Sequence, residues 1–283
     1  MFPSMMTDEL GLDLRDGLDM ICSWGYRHVD LRWKVFGCAT EEMPDETARQ
    51  VKRFAAERGV DVSVLHSSIG KVEHAQDQEV FKGQMAKAER LASIAPILGT
   101  RLVRLFPLRP DGFSDFGNLN EGHKDWDRVM SLNEPVFRFL SQEGLIPAVE
   151  NAAFHINDAL NMVKGFSCFN ATLVFDIMGG WILRDLAESV DEYFARIAPY
   201  VSNIHAKAFA LPQYRLNFEM DPIGEKAGVL PWGKLIRALR EAGSSGPISV
   251  ETQQVLITGD NIPSMTEANK YLAEFVQSVA DED

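Results

Sequence analysis

Apolar residues recur along this chain with two alternating periods. Spacings of three and four mark helices, first in Asp13–Ser23, where Leu14, Leu18 and Ile21 share a face and Gly25 supplies a stop. Short alternating or continuous apolar runs mark strands. On this pattern Phe2–Thr7 opens the chain as a strand, followed by strands at Arg27–Trp33, Val60–Ser67, Leu102–Phe106, Ile146–Glu150, Ala171–Ile177, Ser202–Ala206 and Pro247–Thr252. Helices are predicted between and after them, at Asp45–Arg58, Gln76–Leu98, Asp125–Glu143, Asn157–Lys164, Leu186–Ala198, Trp232–Ala242 and Ser264–Val279. Two long loops interrupt the rhythm, Pro107 to about Lys124 and Phe209–Pro231.

Strand and helix alternate without a break in composition, which predicts an α/β protein with a parallel sheet. About eight such units favour closure into a (β/α)8 TIM barrel over an open sheet, and 283 residues suit one such barrel. The first strand is not followed by Gly-x-Gly-x-x-Gly, so a dinucleotide fold is not expected. With no linker or low-complexity stretch, residues 1–283 read as a single domain.

The strand ends carry the candidate chemistry. Val149, Phe175, Ile204 and Val250 are apolar and belong to the outward parity, under the helices. Glu150, Asp176, His205 and Glu251 follow them directly and therefore face the barrel interior at its C-terminal end, where catalytic groups of this fold sit. Three carboxylates and an imidazole around one mouth suit a single divalent ion of the Mn, Mg, Co or Zn kind. Taken singly, each has a plainer role: Glu150 paired with a lysine, Asp176 capping a helix, His205 a satisfied core histidine. Without a cation the carboxylates are expected to repel and to hold each other's pKa values up. His66, Arg104 and Lys207 share the inward parity, as do Asp30 and Arg32. The first three are candidates to hold hydroxyls, a carboxylate or a phosphate of a small ligand, with salt bridges to Asp30 or Glu251 as the structural alternative.

Composition narrows the partners. Lys+Arg number 28 against Asp+Glu 41, a formal net charge of −13, which argues against nucleic-acid or anionic-membrane contact and leaves a small-molecule substrate. Cys22, Cys38 and Cys168 have no metal-like spacing, and neither a signal segment nor a membrane span of about 18 apolar residues is evident, so a cytoplasmic setting is expected. The 209–231 loop, with Tyr214, Arg215, Phe218, Glu219 and Asp221, suits either a lid or a contact within a homo-oligomer.

Three stretches resemble the xylose isomerase-like barrel superfamily, the sugar phosphate isomerase/epimerase group. They are Gly25–Arg32, the Val149-Glu150-Asn151 strand end, and the glycine-containing Asp221–Trp232 segment. The resemblance implies a metal held by Glu150, Asp176, His205 and Glu251. It also implies that Glu150 and Glu251 are base and acid on opposite faces of a substrate carbon, acting through a metal-stabilised enediolate. Two positions depart from many sugar epimerases of the group. Gly179 stands where they have a histidine, and Leu211 where they have an arginine, which argues against a ketohexose substrate. The further histidines of the group's three-zinc endonucleases are missing from their places. The expected activity is therefore isomerisation or epimerisation of a small sugar or hydroxy-keto compound. The alternatives are a dehydratase acting on a cyclic polyol ketone or dehydroshikimate-like acid, or a non-catalytic metal-binding barrel.

Overall fold

Eight short parallel strands form where the apolar pattern places them, and they close on one another. The computed structural model describes residues 1–33, 35–113, 117–151, 155–182, 188–207, 215–216, 230–252, 257–258 and 264–281. The barrel strands are β1 (Phe2–Met6), β2 (His28–Leu31), β3 (Asp61–His66), β4 (Leu102–Leu105), β5 (Ile146–Glu150), β6 (Thr172–Asp176), β7 (Val201–Ala206) and β8 (Pro247–Val250). Each pairs with its sequence neighbours, and β1 also pairs with β8, from Phe2 with Pro247 to Met5 with Val250, which seals the barrel.

The helices among the described residues are α1 (Leu14–Ser23), α2 (Asp45–Glu57), α3 (Gln78–Leu98), α4 (Trp126–Gln142), α5 (Ile156–Gly165), α6 (Ile177–Ile182), α7 (Val190–Ile197), α8 (Trp232–Glu241) and α9 (Met265–Asp281). Local chemistry sets several of their starts. Asp13 and Asp77 accept from the first amides of α1 and α3, and Ser189 with Glu192 forms a capping box on α7. That box starts α7 at Val190, later than the Leu186 expected from spacing. Helix α6 is a second difference. The pattern carries β6 through Ile177, but the Asp176 carboxylate accepts from the Met178 amide at 2.8 Å and turns the chain into a helix at once. Gly179 and Gly180, poor helix formers, hide that turn from the sequence. Of the 209–231 loop, Arg215–Leu216 pairs antiparallel with Ile257–Thr258; Tyr214, Phe218, Glu219, Asp221 and Leu211 lie outside the described residues. No helix among the described residues is long and apolar enough to cross a membrane.

Strand parity divides the core in two. Val149, Phe175, Ile204 and Val250 join the large apolar shell between strands and helices. Val64, Leu102, Ala148 and Val174 form a separate small cluster inside the barrel. Each stands two residues before a polar side chain of the mouth: His66, Arg104, Glu150 and Asp176. Half of the site therefore rests on a dry apolar floor. Asn203 and Ser249 line the opposite side and bond to each other at 2.7 Å.

One turn at the mouth has little freedom. After β3, Ser67 donates to the Arg104 carbonyl, Gln84 accepts from the Gly70 amide, and Phe106 donates its amide to the Ile69 carbonyl. Gly70 lies at φ +86°, and a Cβ there would stand 2.0 Å from the Phe106 carbonyl oxygen. Gly112, at φ +76°, has nothing within 4 Å of the same position. Gly112→Ala should therefore lose only the left-handed penalty of about 1–2 kcal/mol. Gly70→Ala should lose about 3 kcal/mol or more, because backbone must also move. Urea midpoints of the two variants check this; equal losses would contradict the close packing of the turn.

Candidate metal centre

Strands β5 and β6 each end in a ligand-type side chain, β7 carries His205 one residue before its end, and Glu251 follows β8 directly, where its amide extends the ladder to the Ala206 carbonyl. Asn151 ties the first two together. Its amide nitrogen donates to the Asp176 carbonyl at 3.0 Å and its oxygen accepts from the Asp176 amide at 2.8 Å. The Glu-Asn sequence is thus a backbone staple between β5 and β6, fixing where Asp176 stands. Asp176 divides its own carboxylate: one oxygen caps α6, and the other faces the cluster. The plain helix-cap role and the cluster role both hold, one per oxygen.

Glu150, Asp176, His205 and Glu251 are all buried, and one ligand atom from each lies within 4.8 Å of the others. That span is close to what bonds of about 2.0–2.2 Å to one ion require. Oε2 of Glu150, Oδ2 of Asp176 and Nδ1 of His205 are buried and met by ion-pair contacts without aligned hydrogen bonds, and Nε2 of His205 has no hydrogen-bond partner among the described residues. Buried polar atoms normally find one, so the donor set fits a divalent cation by number, chemistry and spacing.

The charges around the ligands are more fully compensated than strand ends alone suggest. Nδ1 of His205 lies 2.9 Å from Glu251, 3.4 Å from Glu150 and 3.9 Å from Asp176, at the centre of the three carboxylates. Burial works against a charged ring, but Glu150 and Glu251 outweigh it and push the imidazole up to about 10. The imidazolium thus supplies positive charge where a cation would. Lys207 Nζ bridges Asp176 at 2.9 Å and Glu251 at 2.6 Å. Arg32 reaches Glu251 at 2.6 Å and also holds Asp8 and Glu9. Arg104 Nε stands 2.8 Å from Glu150 while its proton points to Nδ1 of His66 at 3.1 Å.

At Glu150 and Glu251 these cations overturn the expectation of raised carboxyl pKa values. Burial pushes Glu150 up, but Arg104 and then His205 prevail and hold it well below the usual carboxylate range. Burial likewise opposes ionisation of Glu251, and Lys207, His205 and Arg32 outweigh it. His66 goes the other way: burial, reinforced by Arg104 and His205, takes it down to about 4 against the pull of Asp30. It is neutral, with Nδ1 accepting from Arg104, and its Nε2 faces Asp30 at 3.6 Å.

All the residues singled out from strand parity meet at this mouth. His66, Arg104 and Lys207 are buried against the carboxylates and one another. Asp30 accepts from Ser4 at 2.8 Å on its other oxygen. Sequence reasoning missed Asp8 and Glu9, which sit in a short turn after β1 with no strand parity to mark them. It also missed Lys71, whose ammonium lies 4.4 Å from the Phe106 ring centre and 5.7 Å from that of Trp33. His123 and His155, assigned no chemistry, accept from nearby backbone amides.

A family model described as xylose isomerase-like TIM barrel matches residues 18–274. No curated protein matches the chain. Among solved structures, a xylose isomerase domain protein from Alicyclobacillus acidocaldarius superposes with TM-score 0.65 at 18% identity, each chain covered in full (100% and 100%). A xylose isomerase-like TIM barrel protein from Mycobacterium smegmatis, in complex with magnesium, gives TM-score 0.63 at 16% identity over 98% of this chain and 97% of that one. A D-psicose 3-epimerase studied in the presence of D-fructose gives 0.69 at 14% identity, covering 100% of both. Likeness at such identities speaks to the fold.

Two measurements test the centre. His205 must lose its proton to ligate, so calorimetry in buffers of different ionisation enthalpy should show about one proton released per Mn or Mg bound near pH 7. His205→Ala should abolish both binding and release. The second is thermal. A value raised to about 10 from the ordinary 6.5 makes the His205 contribution to the metal-free fold complete below about pH 6.5. That contribution is lost as pH rises through 10. Proton competition fades over the same window. The fall in Tm on adding a chelator should therefore be small near pH 6.5 and larger near pH 9.5; a pH-independent fall would contradict this charge state.

Proposed function

The chain belongs to the xylose isomerase-like TIM barrel family, and from that premise we propose that it is a divalent-metal-dependent isomerase or epimerase of a small sugar or hydroxy-keto compound. The observation that carries the proposal is the buried set of Glu150, Asp176, His205 and Glu251, with a glutamate at each end of the arc. Epimerases among the structural neighbours, D-psicose 3-epimerase for one, support the same class of reaction.

Glu150, Asp176, His205 and Glu251 would hold the ion. When bound, such an ion supplies a Lewis acid for a substrate carbonyl and lowers the cost of negative charge on the adjoining carbon and oxygen. The proton work falls to the chain. Glu150 and Glu251 belong to β5 and follow β8, with β6 and β7 between them, so a substrate seated in the arc meets one carboxylate on each side. Both are ionised before substrate arrives, held so by Arg104 on one side and by Lys207 and Arg32 on the other. One takes the proton from the carbon; it returns that proton to the neighbouring carbon, or the other glutamate, after taking a proton from solvent, delivers it to the opposite face while the first releases its own to solvent. The cation beside whichever glutamate is then neutral, Arg104 at Glu150 or Lys207 at Glu251, has its charge available to the developing anion. His66 keeps Arg104 in place through its Nδ1. The apolar floor of Val64, Leu102, Ala148 and Val174 excludes water from beneath the reacting carbon.

The test uses Glu150→Gln and Glu251→Gln, which keep size and one ligand oxygen. Each should lower turnover by about 10²–10⁴-fold, the usual worth of general acid–base catalysis, with metal content retained. Solvent deuterium should enter the product at one carbon. Product without deuterium would indicate hydride transfer and remove the proton scheme. A product lighter by one water would mark the chain as a dehydratase using the same proton abstraction.

A further inference from the structure

Resting on the isomerase reading, the remaining question is what else the substrate carries. The inward-facing cations of the mouth are already engaged. Arg104 is held by Glu150, His66 and the Ser67 carbonyl; Lys207 by Asp176 and Glu251; Arg32 by Asp8, Glu9 and Glu251. Lys71 is different. It lies on the turn after β3, reaches solvent, and has no ion pair among the described residues. Its ammonium is nonetheless placed, over the face of Phe106, whose ring also carries the Arg104 guanidinium at 4.5 Å. The shared Phe106 ring therefore sets Lys71 next to Arg104, which pairs with Glu150 at the mouth.

The turn that presents Lys71 is built to hold still. Besides the Gln84 and Ser67 bonds, buried Glu41 accepts from both the amide and the hydroxyl of Ser68, and Lys87 donates to the same hydroxyl. The Lys71 amide closes the turn on the Ser68 carbonyl. Two buried polar side chains, Glu41 and Gln84, thus fix the backbone from which a single lysine projects. Beside it Trp33 leaves 43% of its surface exposed, although it is the largest side chain type available for burial. An aromatic face next to an ammonium is the pairing that seats a hydroxylated ring by its C–H face and an attached anion by its charge.

We propose that Lys71 and Trp33 form a specificity subsite at the barrel mouth for an anionic substituent, carboxylate or phosphate, borne by the hydroxylated substrate. The metal-loaded protein is titrated calorimetrically with D-glucose, D-glucuronate and D-glucose 6-phosphate. A charge-assisted contact at this site should make at least one anionic probe bind about tenfold tighter than glucose. Which one does so identifies the substituent. Lys71→Met, which keeps the stem over the rings, should erase that preference at unchanged Tm, and Lys71→Arg should keep it. Anionic probes that bind no tighter than glucose, or a preference that survives Lys71→Met, overturn the subsite. Failure of the isomerase reading looks different: an anion preference that depends on Lys71 with no turnover and no deuterium uptake would retire that reading alone. Turnover of neutral sugars indifferent to Lys71→Met would retire the subsite alone.

Discussion

A carboxylate taken out of water costs several kcal/mol unless opposite charge comes with it, and this barrel buries Glu150, Asp176, Glu251 and Asp30 around one axis. The remainder of the interior is arranged around that constraint. Arg104, Lys207, the protonated His205 and part of Arg32 answer Glu150, Asp176 and Glu251 one side chain at a time, while Asp30 is met by the Ser4 hydroxyl and faces the neutral His66. The answering charges come from different strands, so each pair is also a tie across the barrel. Removing one member of such a pair leaves its partner buried and uncompensated, which is far more damaging than the pair is stabilising. The arrangement explains how a site rich in carboxylates remains foldable before any cation arrives. It also means that a cation held here would have to displace the His205 proton and compete with Lys207 for Asp176 and Glu251.

The ligand set was readable because strand parity is a rigid rule. An apolar residue under a helix forces its successor inward, and four strands obey that rule at the same height. The strands and most helices were readable for a similar reason, since each buries a stripe of fixed period. What escaped detection had no period. Asp8, Glu9 and Lys71 lie in turns, where a side chain's direction depends on backbone geometry that spacing does not encode. The raised pKa values expected from the carboxylates alone were wrong at Glu150 and Glu251 because the compensating cations are distant in sequence. Arg104 precedes Glu150 by a helix and a long loop, and Arg32 meets Glu251 from the other end of the chain. Helix α6 was missed because its start depends on one oxygen of a residue read as a ligand.

The division of the interior follows the division of labour. On one side Val64, Leu102, Ala148 and Val174 give a floor with nothing to offer a proton; on the other, Asn203 donates to Ser249 while its own Oδ1 has no hydrogen-bond partner among the described residues. The charged groups are gathered in the uppermost layer, where most are engaged. The mouth is therefore selective mainly through what its turns add, because the layer beneath is already committed to charge balance.

Arg32 follows β2, yet it holds Asp8 and Glu9 beyond β1 and Glu251 beyond β8. It fastens the seam where β1 and β8 meet. During synthesis the first four strands emerge with none of the four candidate ligands, and β5 to β7 bring three. Glu251 arrives only after β8, the last strand of the barrel. Until that strand slots between β7 and β1, Arg32 has two of its three carboxylate partners and the ligand arc lacks one end. Completion of the barrel and completion of the site are consequently one event, so a nascent or nicked chain lacking this last strand would have no full cation site to be captured by.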